Sequence, residues 1–124
     1  MLYEKELTDK IIGAALEVHR KLGPGLLESA YSICLAHELT LRNVPFEKEK
    51  PLPVCYKGVL LDCGYRLDFL IAGKVIVELK AVEALAPVHE AQLMTYLRLA
   101  GCQVGLLMNF NTEQLRDGLI RRVI

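Results

Sequence analysis

The sequence predicts an α/β domain with a mixed central sheet flanked by helices, in the order ααβββαβα. Three observations carry that prediction: helical apolar stripes open the chain, β-rich runs fill Phe46 to Lys80, and a proline-led helix followed by a strand completes a crossover unit. Strand, helix and strand in succession place the last strand parallel to the one before the helix, through a right-handed connection.

From Thr8 to Leu22, apolar residues at 11, 15, 18 and 22, with 12, 16 and 19 beside them, form one helical stripe with Thr8 as its cap. Gly23-Pro24-Gly25 stops it. A second helix is expected from Leu26 to Arg42, burying Leu27, Ala30, Tyr31, Cys34 and Leu35 before Asn43 and Pro45 end it. Three β-rich runs follow, Phe46 to Tyr56, Val59 to Ile71 and Lys74 to Lys80, joined at Lys57-Gly58 and Ala72-Gly73 as a meander. Pro51 and Pro53 put the first run at a sheet edge, because proline cannot donate to a ladder. Pro87 suits the first position of a helix that carries Leu93, Leu97 and Ala100 on one face and stops at Gly101. Gln103 to Phe110 reads as a strand, and Thr112 as the cap of a last helix with Leu115, Leu119 and Val123 inward.

With 124 residues the chain fits one domain, residues 1–124, and an apolar fraction of 52% against 24% charged excludes disorder. The longest uncharged stretch, Leu99 to Thr112, is 14 residues with polar interruptions, too short for a membrane span. The first ten residues lack the apolar core of a secretory signal, so the expected location is the cytoplasm, with no membrane association. Lys and Arg number 15, as do Asp and Glu, so no overall charge attracts a polyanion and nucleic-acid binding requires a local patch. Cys34, Cys55, Cys63 and Cys102 show no metal-site spacing and read as free, buried thiols. His19 and His37 fall in helical stripes and read as core-edge residues. A phosphate-binding loop and a G-x-S-x-G elbow are both missing from the sequence.

The run Val75 to Lys80 carries the chemistry. Strand alternation puts Val75, Val77 and Leu79 on one face, and Ile76, Glu78 and Lys80 on the other. On the preceding strand Leu67, Phe69 and Ile71 alternate with Arg66, Asp68 and Leu70. A two-residue turn at Ala72-Gly73 would set Asp68 opposite Val77 and away from Glu78. A three-residue loop, Ile71 to Gly73, would set Asp68 opposite Ile76 with Glu78 one diagonal away, about 7 to 8 Å between backbones. Hydrophobic consistency favours the second register, which assembles an acidic site. Two carboxylates are hard ligands suited to Mg²⁺ or Mn²⁺, and Lys80 beside them completes a phosphate-handling set. The competing reading is a surface salt bridge, with Arg66 opposite Glu78.

His89, Gln92 and Tyr96 follow at steps of three and four and form a polar stripe opposite the buried leucines of their helix. Glu28 stands in a helix's first turn, where the dipole alone would favour an acid. The alternative, favoured by the fixed Gly23-Pro24-Gly25 entrance, makes Glu28 a third acid near the metal.

Gly25-Leu26-Leu27-Glu28-Ser29-Ala30-Tyr31, followed by Asp68, Glu78-Leu79-Lys80 and the Gln92/Tyr96 pair, resembles the GxxExxY family of the PD-(D/E)xK nuclease superfamily, over nearly the whole chain. The resemblance implies a PD-(D/E)xK nuclease-like core with Asp68 and Glu78 as metal ligands. It also implies Lys80 as the catalytic lysine, Glu28 as an additional acid, and Gln92 and Tyr96 as the motif that follows the core. The function it implies is Mg²⁺- or Mn²⁺-dependent hydrolysis of phosphodiester bonds in DNA or RNA. The alternative is a non-catalytic binding or interaction module on the same fold. Minimal length leaves little to grip a duplex, a gap that a homodimer or protein partner would fill.

Overall fold

The computed structural model describes residues 3–124, so residues 1 and 2 of the expected domain lie outside the described residues. Its elements in order are α1 (Lys5–Leu22), α2 (Glu28–Leu41), β1 (Phe46–Pro51), β2 (Val54–Tyr56), β3 (Val59–Leu61), β4 (Arg66–Ile71) and β5 (Val75–Lys80), then α3 (Pro87–Ala100), β6 (Val104–Asn109), a short 3-10 helix (Leu115–Gly118) and β7 (Leu119–Val123). The main sheet runs β1-β4-β5-β6-β7, with β5 and β6 parallel and the other neighbours antiparallel. This is the expected α/β fold: three helices and a mixed five-stranded sheet.

Each face of the sheet carries its own core. Ile11, Ala14 and Val18 of α1 join Tyr31 and Leu35 of α2 against Phe69, Val77, Leu79 and Leu106. Leu93 and Leu97 of α3 pack with Leu70, Ile76 and Leu107. Gly105 lets α3 approach, since a β-carbon there would meet Leu93 Cδ1 at 2.8 Å. No helix among the described residues is long and apolar enough to cross a membrane.

Several expectations change. Helix α1 starts before Thr8, whose buried hydroxyl donates back to the Lys5 carbonyl at 3.1 Å and so behaves as an interior helix residue and not as a cap. Leu27 is 77% exposed, because it precedes the first turn of α2, while Ala30 and Cys34 are only half-buried. The two long β runs are broken at Leu52-Pro53 and across Asp62–Tyr65, so β2 and β3 form a separate hairpin turned by Lys57 and Gly58, both at positive φ. Pro53 offers no donor, and Gly64 folds back with its N–H donating to Asp62 Oδ1 at 2.9 Å. The meander survives as β1-β4-β5, with β1 at the edge as Pro51 required.

The expected last helix is instead a 3-10 turn and an edge strand on β6. Gly118 packs so closely that a β-carbon would sit 2.5 Å from the Asn109 carbonyl, and Leu119 and Ile120 then serve opposite faces of the sheet. All four cysteines are free, but Cys55 and Cys63 are exposed, on and beside a hairpin whose strand residues are all exposed except the half-buried Val54. His19 does sit at the core edge, its Nε2–H donating to the Thr112 carbonyl at 2.8 Å, whereas His37 is exposed.

Candidate active site

The β4–β5 hairpin adopts neither of the two expected registers. Ala72 and Gly73 both take positive φ, the Lys74 N–H donates to the Ile71 carbonyl at 2.9 Å, and Ile71 pairs with Val75 across a loop of Ala72 to Lys74. Leu70 therefore faces Ile76 and Phe69 faces Val77, which brings Asp68 directly opposite Glu78. Ladder pairing itself ends at Phe69–Val77, one step short of these two acids, and their side chains take it over. The Asp68 N–H donates to Glu78 Oε2 at 2.7 Å, and the Leu79 N–H donates to Asp68 Oδ2 at 2.8 Å. Each carboxylate is thus fixed by the backbone of the other strand.

The strand bends at the same point. Leu67 packs with Leu70 and Ile76 and not with Phe69 and Ile71, so strict alternation fails between Leu67 and Phe69. Opposite Asp68, Glu49 of β1 lies between the pairs Lys48–Phe69 and Lys50–Leu67 with φ at 54°, an uncommon conformation for a residue with a side chain. A cavity of about 440 Å³ opens there, walled by Glu28, Ser29, Ser32, Lys48, Glu49 and Asp68 among others. Glu28 is exposed and shares this cavity with Asp68. Glu78 is not on its wall and meets the site through the Asp68 amide. Arg66 pairs in register with Pro51, and none of the ion pairs among the described residues includes Arg66, Asp68 or Glu78, so the salt-bridge reading of these residues is not realised.

Burial is the first influence on all three acids of the site. Burial and then the neighbouring Asp68 push the Glu78 carboxyl up to about 8. Burial likewise raises Asp68, against its bond from the Leu79 amide and the Lys80 charge. The partial desolvation of Glu28 at the cavity wall raises its carboxyl, which Lys80 opposes and Asp68 reinforces. Half-buried Lys80 thus acts on all three acids.

On the α3 side, the Gln92 amide donates to the Tyr96 hydroxyl at 2.9 Å. The expected polar stripe is corrected here, because Tyr96 is 6% exposed and packs in the same cluster as Leu93 and Leu97. Burial and then the Glu78 charge raise its phenol, which places Tyr96 within electrostatic reach of the acids. His89 serves the helix itself, its Nδ1 accepting the Ala86 N–H at 2.9 Å and so closing the start of α3.

The Gly-x-x-Glu-x-x-Tyr segment is a mechanical unit. The buried Tyr31 hydroxyl donates to the Gly23 carbonyl at 2.6 Å and accepts the Leu26 N–H at 3.1 Å, while its ring stacks on Phe110 at 4.7 Å. Gly25, at φ 98°, donates its N–H to Asn111 Oδ1 at 3.1 Å. Tyr31 therefore holds the loop that presents Glu28. Tyr31→Phe is expected to leave the Leu26 amide and Gly23 carbonyl unpaired, at a cost of about 1–3 kcal/mol. Urea denaturation checks this, and an unchanged midpoint would remove Tyr31 from the role.

Sequence reasoning missed Lys48, Glu49, Asn109 and Asn111. Asn109, 2% exposed, accepts the Val82 and Asn111 amides through Oδ1 and donates to the Val82 carbonyl through Nδ2, at 2.9 to 3.2 Å. It sits in register with Lys80 and fixes the chain leaving it. The available signal was position: Asn109 ends a strand parallel to β5, and the carboxyl ends of parallel strands are where open α/β sheets place their sites.

An acid-x-lysine strand, an acid on its antiparallel neighbour and a flanking helix pair define a nuclease-like α/β domain. Residues 5–123 match the family model of the PD-(D/E)XK nuclease superfamily, and the chain belongs to that superfamily. No curated protein matches it, and no solved structure does.

A divalent cation is what such a family implies, and the residues fit one. Asp68 and Glu78 each commit one oxygen to a backbone amide, leaving Asp68 Oδ1 and Glu78 Oε1 without a protein hydrogen bond among the described residues. Their mutual repulsion is what a cation would relieve. Among the described residues no three His, Cys, Asp or Glu groups gather to cage a metal, so the offer is two acids. Two carboxylates, with water and phosphate oxygens in the remaining positions, is the donor set of Mg²⁺.

Proposed function

We propose that this chain is a Mg²⁺- or Mn²⁺-dependent phosphodiesterase acting on DNA or RNA in the cytoplasm, within the GxxExxY branch of the superfamily. The observation that carries this is the reciprocal clasp of Asp68 and Glu78, with Lys80 two residues further along the same strand. Asp68 and Glu78 hold the cation, which when bound supplies positive charge to the transition state at phosphorus. The Lys80 ammonium stabilises charge that develops on the phosphate oxygens or orients the attacking water. Glu28, on the cavity shared with Asp68, orients water or supports a second ion. Gln92 steadies the Tyr96 hydroxyl on the other flank.

The test is cleavage of single- and double-stranded DNA and RNA with Mg²⁺, Mn²⁺ or EDTA, beside divalent titration of the melting temperature. Wild type is expected to cut only with the cation and to melt higher with it, and Asp68→Asn to lose both effects. A cation-induced shift that survives in Asp68→Asn would place the metal elsewhere. A second reading, binding without turnover, is favoured by the formal net charge of zero, and it predicts the shift without cleavage.

A further inference from the structure

Beside the carboxylates lies a second hollow, of about 520 Å³, with different chemistry. Val54, Tyr65, Val88, Gln92, Tyr96 and Leu99 line it, and its wall contains no charged side chain. The cavity that holds Glu28, Lys48 and Asp68 shares no wall residue with it. Charge and apolar surface are therefore segregated around one site, with Tyr96 common to the apolar hollow and the field of Glu78.

Tyr65 is 45% exposed and meets Tyr96 edge-on, with ring centroids 5.9 Å apart, an arrangement that leaves ring surface of Tyr65 open to the hollow. Val88, 67% exposed, and Leu99 add apolar surface. The Gln92 amide spends one N–H on Tyr96, and its carbonyl keeps acceptor capacity for another group. Stacking surface plus a donor–acceptor amide, without charge, is what an uncharged heteroaromatic ring needs. The wall itself holds no cation; the exposed Arg98 guanidinium only touches it from outside, Nη2 donating to the Thr95 hydroxyl at 3.1 Å, so charge stands at the rim and apolar surface inside.

We propose that this groove seats an unpaired nucleobase, stacked on Tyr65 and hydrogen-bonded by Gln92, which makes single-stranded nucleic acid the substrate class; the proposal rests on the nuclease reading above. A base inside a duplex has both faces covered by its neighbours and cannot lie on Tyr65. An unpaired base in a strand, loop or end can do so.

The experiment measures binding of a short single-stranded oligonucleotide carrying 2-aminopurine, whose fluorescence is quenched on stacking, in a chain without tryptophan. Tyr65→Ala is expected to weaken binding about 5- to 150-fold and to remove the quench, while Tyr65→Phe retains both. Val88→Glu, a change at an exposed position, brings a negative charge into the groove and is expected to weaken binding without unfolding the chain. The same sequence as a duplex is expected to bind more weakly than the single strand. Wild-type affinity in Tyr65→Ala and Val88→Glu would overturn the proposal and leave the groove to a protein ligand, and tighter duplex binding would overturn it too. The two readings separate cleanly. Tyr65-sensitive single-strand binding without cleavage under any cation retains the base seat and removes the nuclease reading. Cleavage that ignores Tyr65→Ala and Val88→Glu does the reverse.

Discussion

The metal-free protein is expected to lose stability as pH rises from about 4.5 to about 8, and a divalent cation to restore it. Glu78 drives this, because burial and the facing Asp68 raise its carboxyl from the ordinary 4.5 to about 8. Between those values the folded chain holds a proton that the unfolded chain releases, so stability is fully present below about 4.5 and is lost as pH climbs through the folded value. Each pH unit in that window costs about 1.4 kcal/mol, giving an upper bound of about 5 kcal/mol and a fall in Tm of about 10 °C or more. The raised Asp68 and Glu28 add in the same direction.

A cation replaces that proton, so its affinity and the Tm shift it causes are expected to grow across the same window. Glu78→Gln separates electrostatics from packing, because its amide oxygen can still accept the Asp68 N–H. The variant is expected to be more stable than the metal-free wild type at pH 8, to lose most of the slope, and to show no cation-induced shift. Thermal melts from pH 4.5 to 8, with and without Mn²⁺, decide the matter. A flat wild-type profile would show that the folded chain does not raise the Glu78 carboxyl, and an undiminished slope in Glu78→Gln would assign the titration to another group.

The acids and the lysine were legible in sequence because charge inside an apolar strand pattern is costly and therefore conspicuous. Their pairing was not. The register turned on the loop at Ala72-Gly73, and a left-handed alanine, seen here at φ 53°, carries no compositional signal. The site nevertheless survives the change of register, since the observed register, continued one step past Phe69–Val77, brings Asp68 and Glu78 together where the expected one set them on a diagonal, and each carboxylate bonds the other strand's backbone. The bend that turns Leu67 to the other core is set by contacts with β1 and α3, so no window along β4 alone contains it.

The C-terminal strand was hidden by a coincidence of periods. Leu115, Leu119 and Val123 recur every four residues as a helix would have them, and β7 buries residues toward both cores, which erases the alternation that marks a one-faced strand. Asn109 and Asn111 escaped for a related reason. Their amides bond to Val82 and Gly25, partners distant in sequence that only the assembled sheet brings near. Glu28 was visible as an acid, but its presentation depends on Tyr31, three residues on, through a hydroxyl aimed backward at Gly23.

Lys80→Met is expected to separate cation binding from cleavage. The Lys80 charge opposes the raised carboxyl values of Glu28, Asp68 and Glu78, so it competes with any cation for the same negative field. Removing it leaves both ligands and their backbone clasps in place, and the divalent-induced Tm shift is expected to persist or to grow. Turnover is expected to fall about 10²- to 10³-fold, the usual cost of deleting one preorganised group aimed at transition-state charge. The half-buried position on β5, with Asn109 beside it in register, keeps the substitution from disturbing the fold. Single-turnover cleavage with saturating Mn²⁺, beside melts of the same samples, reads both quantities. Full cleavage in Lys80→Met would remove the lysine from the chemistry, and loss of the cation-induced shift would make it a structural support of the two acids.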